Sequence, residues 1–357
     1  MKYAIIGCGR ISGLHLRAAR ENGLEISALC DLKAEKAEAR KAMPGCSEAR
    51  VYTDHREMLA AEKPDLVAVA TESGAHASVA LDCIDAGCSV IIEKPIALSM
   101  KDAREIVRRA DEKGVKVSAC HQNRFNKSIH LMREALEKGY FGKLLHGAAY
   151  VRWSRDAEYY ALDEWRGTWD RDGGALMNQC IHDIDLLRWM MGPGIVDVTA
   201  YTDRLAHDYI EAEDFGCAMV RFENGSYGLI EGTTNIYPDD LEEKLCVFGT
   251  EGTAKAGGIS CNTLEAWSFK RDPHDPEKLM HGSFEDVPNV YGFGHTSLYA
   301  DVVAAINEGR DPYITARDGA AALELVLAIY LSAAERRTVT LPLGDVSASD
   351  FKGRFDK

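Results

Sequence analysis

The chain has 357 residues, 46% of them hydrophobic, and a formal net charge of −14 at pH 7. This length favours two domains, and the hydrophobic content is sufficient for packed cores in both. The acidic balance argues against nucleic acid and anionic membranes as partners. It leaves an anionic small molecule open as a ligand, because a local group of arginines can bind one in an otherwise acidic protein.

Ten cysteines are spread along the chain without a CxxC pair. Most lie in apolar runs, which predicts buried free thiols in a reducing compartment and no metal centre. The apolar segment before Gly7 is too short for a signal peptide, and the longest apolar stretch, at 323–334, is too short to span a bilayer. We therefore expect a cytoplasmic protein.

The first part of the chain alternates strand and helix patterns. Strands are predicted at 3–6, 25–30, 66–70, 90–92 and 115–119, and helices at 12–21, 34–42, 77–86 and 100–113. Short apolar strands separated by amphipathic helices are typical of a parallel sheet covered on both faces. Residues 1–122 are predicted to form a doubly wound, Rossmann-type dinucleotide-binding domain.

From about residue 143 the pattern changes to longer strands with few helices between them. These strands are predicted at 144–153, 196–204, 215–222, 226–233, 244–248 and 264–269. The dipeptide Asn224-Gly225 is a strong hairpin signal, so a largely antiparallel sheet is expected, with one face available to helices or to another subunit. Residues 270–294 are predicted to be a long loop.

Two helices end the predicted second domain, residues 123–357. The second helix is expected to begin with a capping box formed by Thr315 and Asp318 and to run to about Arg336. These C-terminal helices are candidates to pack back on the first domain.

A glycine loop, Gly7-Cys8-Gly9-Arg10-Ile11-Ser12, follows the first predicted strand and opens a helix. Serine replaces the third glycine of the usual dinucleotide fingerprint but is still small enough for close helix–strand packing. Asp31 follows the second strand, where a carboxylate accepts hydrogen bonds from a ribose diol and repels a 2′-phosphate. This favours NAD over NADP as cofactor, although nearby Lys33 softens the preference. The alternative is a plain glycine turn with a helix-capping Asp31.

The tripeptide Glu93-Lys94-Pro95 closes a strand at the sheet edge where doubly wound folds bind ligands. A lysine ammonium there is costly to desolvate unless it is used. Lys94 is predicted to hold an alcohol oxygen or to share a proton relay. Thr71 ends a neighbouring strand and either contacts the nicotinamide side of the cofactor or caps the next helix. His76 is expected to be a packed residue at a helix end.

The segment 173–191 is predicted to be one helix introduced by two glycines. Asn178, His182 and Asp185 then share one stripe of the helix surface, because their spacings are four and three. Beside them lies an apolar stripe made of Ile181, Ile184, Leu187 and Met191. His182 is a candidate general base, since imidazoles titrate near neutral pH, and Asp185 would orient it. The alternatives are a solvated face or a buried histidine satisfied by Asp185.

These motifs resemble those of the Gfo/Idh/MocA oxidoreductases over almost the whole chain. The resemblance is carried by the glycine loop, Glu93-Lys94-Pro95, Asn123-Arg124-Phe125, the segment 173–185 and the C-terminal helices. It implies a cis peptide before Pro95, a Trp165-Arg166 loop at the cofactor, and dimers or tetramers formed through the C-terminal sheet.

One position separates the members of this family. Inositol dehydrogenases carry an aspartate where this chain has Asn178, and the asparagine resembles members that oxidise C3 of UDP-linked amino-sugar uronates. Asparagine cannot act as a base, so the proton relay is expected to involve His182 and Lys94. Arg124 is expected to contact the substrate, and Arg152, Arg155 and Arg171 are further candidates to neutralise an acidic one.

The sequence therefore predicts an NAD-dependent dehydrogenase acting on a ring secondary alcohol of a sugar, an inositol or a sugar nucleotide. Lys94 and His182 are expected to converge on that hydroxyl. The expected cofactor residues are Gly7, Gly9, Arg10, Ile11, Asp31, Thr71, Glu93, Lys94, Trp165 and Arg166. The expected substrate residues are Lys94, Arg124, Asn178 and His182. Two alternatives stay open: a glycosidase that uses transient oxidation and elimination with NAD, and a non-catalytic dinucleotide-binding regulator.

Overall fold

A computed structural model describes residues 1–192, 194–287 and 292–356. The chain divides into two compact units, one made of Met1–Gln122 with His295–Ala321 and the other of Asn123–Gly294 with Ala322–Lys357. No helix in these described ranges combines the length and apolarity needed to cross a bilayer. All ten cysteines are free thiols, and nine are buried.

The fourteen strands in the described residues have the following bounds. They are β1 Lys2–Ile6, β2 Glu25–Cys30, β3 Arg50–Tyr52, β4 Leu66–Val69, β5 Ser89–Ile92, β6 Val117–Ala119, β7 Leu144–Arg152, β8 Ile195–Asp203, β9 Phe215–Phe222, β10 Tyr227–Thr233, β11 Glu242–Gly249, β12 Gly252–Gly257, β13 Thr263–Phe269 and β14 Val339–Thr340.

The α-helices of the same residues connect and cover these strands. They are α1 Ser12–Glu21, α2 Ala34–Arg40, α3 His55–Glu62, α4 His76–Asp85, α5 Met100–Lys113, α6 Lys127–Glu137, α7 Ala157–Ala161, α8 Ala175–Asn178, α9 Ile181–Met191, α10 Pro276–Ser283, α11 Gly294–Glu308 and α12 Ala316–Glu335. Short 3-10 helices lie at Ser73–Ala75, Gln122–Phe125 and Ala348–Phe351.

The first unit is built on a six-stranded parallel sheet with the order β3-β2-β1-β4-β5-β6. Its central strands are buried along their whole length, as the uninterrupted apolar runs require: Leu66–Val69 and Val90–Ile92 are fully buried. The predicted Rossmann-type sheet is confirmed. The sequence prediction missed β3 and α3. The strand β3, Arg50–Tyr52, is only three residues long and so gives little pattern to detect.

The second unit contains an eight-stranded sheet with the order β13-β12-β11-β7-β10-β9-β8-β14. All described neighbours are antiparallel except β7 and β10, so the predicted, mostly antiparallel sheet is confirmed. The Asn224-Gly225 hairpin joins β9 to β10 as expected, with Gly225 at φ +82°. The strand β12 was missed, since its small residues lack the β-branched signal.

One face of this sheet is covered by α8 and α9. A Cβ atom added at Gly147 would lie 2.7 Å from the sulfur of Met191, and one at Gly232 would lie 2.7 Å from the sulfur of Cys180. Glycine in β7 and β10 thus lets the helices approach the sheet closely. The predicted apolar stripe of α9 is confirmed, since its four residues are fully buried.

Of two further predictions, one needs correction and one is confirmed. Residues 270–294 are not one loop, because Pro276–Ser283 forms α10, which Asp275 caps by accepting from the backbone N–H of Glu277. Residues 288–291 of that segment lie outside the described residues. The predicted capping box of α12 is confirmed: Thr315 and Asp318 exchange side-chain to backbone hydrogen bonds of 3.0 and 3.2 Å.

Candidate active site

The glycine loop has the backbone geometry that a dinucleotide requires. Gly7 adopts φ +96°, and a Cβ atom there would lie 2.3 Å from the carbonyl oxygen of Ala70, so no other residue fits. A Cβ atom at Gly9 would meet nothing within 4 Å, which leaves the loop open on that side. Ser12 closes the turn by donating its hydroxyl to the Gly9 carbonyl at 2.6 Å. Serine therefore fills the third fingerprint position with a bond of its own.

The first turn of α1 has backbone N–H groups that no side chain caps within the described residues, as an anion-binding helix end requires. Asp31 stands at the end of β2, half-buried, where its carboxylate accepts from the backbone N–H groups of Cys8 at 2.8 Å and Lys33 at 2.9 Å. These bonds fix the carboxylate beside the loop. The arrangement fits a dinucleotide whose ribose diol faces Asp31. Arg10 of the same loop is exposed.

We expect the substitution Asp31→Ser to lower the ratio of kcat/KM for NAD to that for NADP by about 10- to 100-fold, because a carboxylate at the ribose repels the 2′-phosphate of NADP. Steady-state kinetics with both cofactors measures this ratio. Glu35→Ser removes the same charge four residues further on and serves as the control. An unchanged ratio in Asp31→Ser would exclude Asp31 from the ribose site.

Lys94 follows β5 and is half-buried, and the peptide bond between Lys94 and Pro95 is cis, as the family resemblance implied. Glu93 is 7% exposed. Thr71 is half-buried and does not cap the following helix: its hydroxyl donates to the Glu72 carbonyl at 3.2 Å, and Glu72 itself is the N-cap. His76 is 1% exposed at the start of α4, so the expectation of a packed residue at a helix end is confirmed.

In the second unit, the segment predicted as a single helix is two helices. The short helix α8 ends at Asn178, and α9 begins at Ile181 after Gln179 and Cys180. Asn178 therefore does not belong to the helix that carries His182 and Asp185, and the predicted three-residue stripe is wrong in this respect. Gly173 and Gly174, at φ +90° and +91°, precede the short helix α8.

Asp185 forms a buried ion pair within the second unit. The Arg124 guanidinium donates two hydrogen bonds of 2.6 and 2.7 Å to the Asp185 carboxylate, and their side chains are 1% and 0% exposed. Arg188 of the same helix lies 3.5 Å from Asp185. This geometry favours a structural role for Arg124, which was predicted to bind substrate. Asp185 lies one turn after His182, which is 7% exposed.

A pair of buried acidic groups lies between α9, which carries Asp183, and β11, which carries Glu243. Asp183 and Glu243 are buried, the Asn123 amide donates to Glu243 at 2.8 Å, and the Cys261 thiol lies 3.5 Å from Asp183. Burial raises the pKa of Asp183 to about 7 and raises that of Glu243 well above its usual value. Two carboxyl groups in such a site are stable only while they hold a proton.

This pair predicts a loss of stability as the pH rises. A carboxyl group whose pKa is higher in the folded than in the unfolded state binds more protons when folded, so its stabilising contribution falls between about pH 4 and the folded pKa near 7, by about 1.4 kcal/mol per pH unit at most. In Glu243→Gln an amide replaces one acid, so we expect the free energy of unfolding to vary less over this window and to exceed that of the wild type at pH 8. Urea unfolding at pH 5 and pH 8 measures both. If the free energy of unfolding falls equally in the two proteins between pH 5 and pH 8, the account is contradicted.

A cluster of aromatic and cationic side chains surrounds Tyr159 near α8. The guanidinium carbons of Arg155 and Arg166 lie 5.3 and 4.4 Å from the centre of the Tyr159 ring. Gln179 donates to the Tyr159 hydroxyl at 2.9 Å and to the Asn178 carbonyl oxygen at 2.8 Å, and Arg155 donates to Gln179 at 3.1 Å. The cluster thus connects two arginines to the amide of Asn178. The predicted cofactor loop takes part, since Arg166 also stacks on Trp165 at 4.5 Å.

Several residues of these sites were not predicted from the sequence. Tyr159 and Gln179 could not be found by spacing, because they are brought together by separate segments. His15 had a usable signal: it is a polar residue on the buried side of α1, between Ser12 and Leu16, all fully buried. A buried histidine in the first turns of the cofactor helix must have a partner, and that partner is Glu93.

The Rossmann-type sheet and the glycine loop fit a nicotinamide-dependent oxidoreductase. Profiles of the oxidoreductase family match twice, its NAD-binding Rossmann fold over residues 1–121 and its C-terminal alpha/beta domain over residues 133–341. The chain belongs to the Gfo/Idh/MocA oxidoreductase family. It is an NAD-dependent oxidoreductase.

Comparison with individual proteins gives the following likenesses. The WlbA dehydrogenase of Bordetella pertussis, solved in complex with NADH and UDP-GlcNAcA, is 37% identical over 96% of this chain and 98% of its own, with a TM-score of 0.90. The WlbA enzyme of Chromobacterium violaceum, also solved with NADH and UDP-GlcNAcA, is 34% identical over 96% of each chain, with a TM-score of 0.88. D-apiose dehydrogenase of Paraburkholderia graminis is 29% identical over 95% of this chain and 89% of the relative.

Proposed function

We propose that this protein oxidises the C3 hydroxyl of UDP-GlcNAcA, or of a closely related UDP-linked amino-sugar uronate, with NAD. The observation that carries the proposal is the likeness to two dehydrogenases solved with this sugar nucleotide, at 37% and 34% identity over nearly the whole chain. Asn178 supports it, because inositol dehydrogenases of the family carry an aspartate there.

NAD, when bound, accepts the hydride from the carbon that carries the hydroxyl. The chain's own residues would handle the proton of that hydroxyl. The Lys94 ammonium donates a hydrogen bond to the alcohol oxygen and stabilises the negative charge that develops on it. His182 acts as general base and takes the proton. Asp185, anchored by Arg124, would hold the helix turn that carries His182.

Binding of an acidic sugar needs a cation near the substrate, and the four candidate arginines differ in their surroundings. Arg124 is buried against Asp185, and Arg152 is paired with both Glu231 and Glu242. Arg171 is half-buried and donates to the Glu164 backbone carbonyl at 3.0 Å. Arg155 is also paired with a carboxylate, Asp240, at 2.8 Å, but of the four it is the one bonded to Gln179, the residue next to Asn178. We therefore assign recognition of the substrate's negative charge to Arg155 within the Tyr159 cluster.

The test is a comparison of substrates at equal concentration with NAD. UDP-GlcNAcA is expected to give NADH, seen by absorbance, while the neutral UDP-GlcNAc and myo-inositol give at least about tenfold lower kcat/KM. Release of UDP without NADH would instead indicate oxidation followed by elimination. No reaction with any of the three, in a protein that binds NAD, would favour a regulator and contradict the proposal.

The exposed face of the second unit's sheet supports assembly into a homo-dimer or homo-tetramer. Tyr201, Met219, Tyr227 and Leu229 point to this face with 73%, 52%, 46% and 38% of their surface exposed, and Met219 lies directly opposite Leu229. Adjacent apolar side chains on three neighbouring strands are typical of a buried interface.

The free thiols fit a reducing cytoplasm, which we assign as the location of the protein.

We expect Met219→Glu to shift the protein to a smaller oligomer, because a second copy packing on this face would bury the new carboxylate without a partner. Sedimentation velocity measures the change. Met219→Thr adds no charge, introduces a β-branched residue that suits a strand, and is the control. If Met219→Glu sediments like the wild type, this face is not the interface.

A further inference from the structure

Three buried histidines lie around the peptide segment that presents Lys94, all within the Rossmann unit. They come from three different helices, α1, α4 and α11. His15, His76 and His295 are 0%, 1% and 4% exposed. Buried imidazoles are normally held by hydrogen bonds, and His15 and His76 have them here.

Two of them contact the Glu93 side chain, on the N-terminal side of Lys94. His15 Nε2 lies 2.9 Å from Glu93 Oε1, and His295 Nε2 lies 3.6 Å from the same oxygen. The other Glu93 oxygen accepts from the backbone N–H of Lys94 at 3.2 Å. On its far side, His15 Nδ1 is bonded to the Tyr299 hydroxyl at 2.8 Å, which holds the ring in place. The carboxylate thus connects α1 to the backbone of Lys94.

The charge on Glu93 is balanced where it lies. Burial by itself would raise the pKa of this carboxyl group, but the hydrogen bond from His15 and the nearby His295 imidazole hold it well below its usual value. A buried carboxylate with two imidazole partners is already compensated and does not need a ligand to stabilise it. This argues against the direct cofactor contact that the sequence predicted for Glu93.

The third histidine holds the other side of Lys94. His76 Nδ1 lies 2.7 Å from the carbonyl oxygen of Pro95, and His76 Nε2 lies 3.2 Å from that of Thr71. The N–H of a neutral imidazole is best placed on Nδ1, toward the shorter contact. Helix α4 therefore holds the residue after Lys94 through the hydrogen bond to the Pro95 carbonyl.

We propose that His15 and His76 are positioning residues that fix the backbone on either side of Lys94, with Glu93 as the link between the cofactor helix α1 and Lys94. The inference rests on the proposed function, since it gives Lys94 the catalytic role. It assigns Glu93 to holding Lys94 in place. Loss of either histidine is expected to lower kcat and to leave NAD binding unchanged, because the glycine loop proposed to bind the cofactor keeps its own contacts.

Paired substitutions at each histidine test the contacts of its two ring nitrogens separately. A glutamine amide nitrogen occupies about the position of histidine Nε2, and an asparagine amide nitrogen that of Nδ1. His15→Gln therefore keeps the bond to Glu93, while His15→Asn keeps only the bond to Tyr299. At His76 the order reverses: His76→Asn keeps the bond to Pro95, while His76→Gln loses it and directs its amide toward Thr71.

We expect His15→Asn and His76→Gln to lower kcat at saturating NAD by about 10- to 100-fold, with the Kd of NAD changed by less than about 3-fold. His15→Gln and His76→Asn should recover most of that loss. The NADH assay and titration with NAD measure the two quantities, and thermal unfolding of all four variants checks that each is folded. The two variants at His76 keep the test decisive if a variant at His15 does not fold.

Equal losses within each pair would mean that the histidines serve packing alone and would overturn the proposal. A rise in the Kd of NAD with unchanged kcat would restore Glu93 to the cofactor contacts and also overturn it. His15, Glu93, Cys120 and His295 could together hold a metal ion, so metal content is measured as well. One bound metal per chain that disappears in Cys120→Ser would replace the positioning account. If Lys94→Ala is active, the proposed function itself fails; if only the pairs behave alike, this inference alone fails.

Discussion

Replacement of Lys94 by alanine is expected to lower kcat by about a thousandfold or more while the Kd of NAD changes by less than about 3-fold. Lys94 is half-buried at the ligand-facing edge of the sheet, next to a cis peptide, whereas the groups that fit the dinucleotide lie in the glycine loop and at Asp31. The loss therefore falls on the chemical step. Single-turnover formation of NADH together with NAD titration measures both quantities.

Lys101→Ala is the matched control for this experiment. It removes the same charge from an exposed position in α5 of the same unit and is expected to leave kcat within about 2-fold of the wild type. Turnover of Lys94→Ala near the wild-type rate would remove Lys94 from the chemistry. An equal loss in both variants would show that the assay responds to charge in general.

The second large effect is expected on stability, at the buried pair of Arg124 and Asp185. Arg124→Met removes the cation and leaves a fully buried carboxylate without its two hydrogen bonds from Arg124, which is expected to cost about 3–5 kcal/mol in the free energy of unfolding. Replacing both partners, as in Arg124→Met with Asp185→Leu, should recover much of that loss, because no charge is then buried alone. Urea unfolding of the three proteins measures the difference.

Arg152→Met provides the comparison for this pair. Arg152 is also bonded to carboxylates, but its side chain is 30% exposed, so its loss is expected to cost about 1 kcal/mol or less. If Arg124→Met is no less stable than Arg152→Met yet binds the sugar nucleotide poorly, Arg124 is a substrate residue and the structural assignment is wrong.

The sequence predicted the first unit well because its signals are local. The helices Ser12–Glu21 and Met100–Lys113 and the strand Glu25–Cys30 begin and end where the patterns predict. Ser99 caps α5, a glycine lies just after each of the two helices, and the apolar residues follow one period. The sequence also predicted that Asp31 lies beside the glycine loop. This could be read from the chain because the loop follows the first strand and Asp31 follows the second, which pairs with it in the sheet.

The second unit shows where such reasoning stops. The spacing of Asn178, His182 and Asp185 predicts one helical stripe, but two residues between α8 and α9 break it, and no local signal marks the break. The partner of Asp185 is Arg124, 61 residues earlier in the chain, and spacing cannot predict a pair formed by tertiary packing. In the first unit, His15 and Glu93 are 78 residues apart and were missed as a pair for the same reason.

The central claim is hydride transfer from C3 of the sugar in UDP-GlcNAcA, and an isotope label tests it most directly. UDP-GlcNAcA carrying deuterium at C3 is incubated with NAD and the protein, and the nicotinamide product and the sugar nucleotide are analysed by mass spectrometry. The account predicts one deuterium in the NADH and a sugar nucleotide that has lost both the C3 label and the hydroxyl hydrogen. Deuterium retained at C3, or lost to water without appearing in NADH, would contradict it.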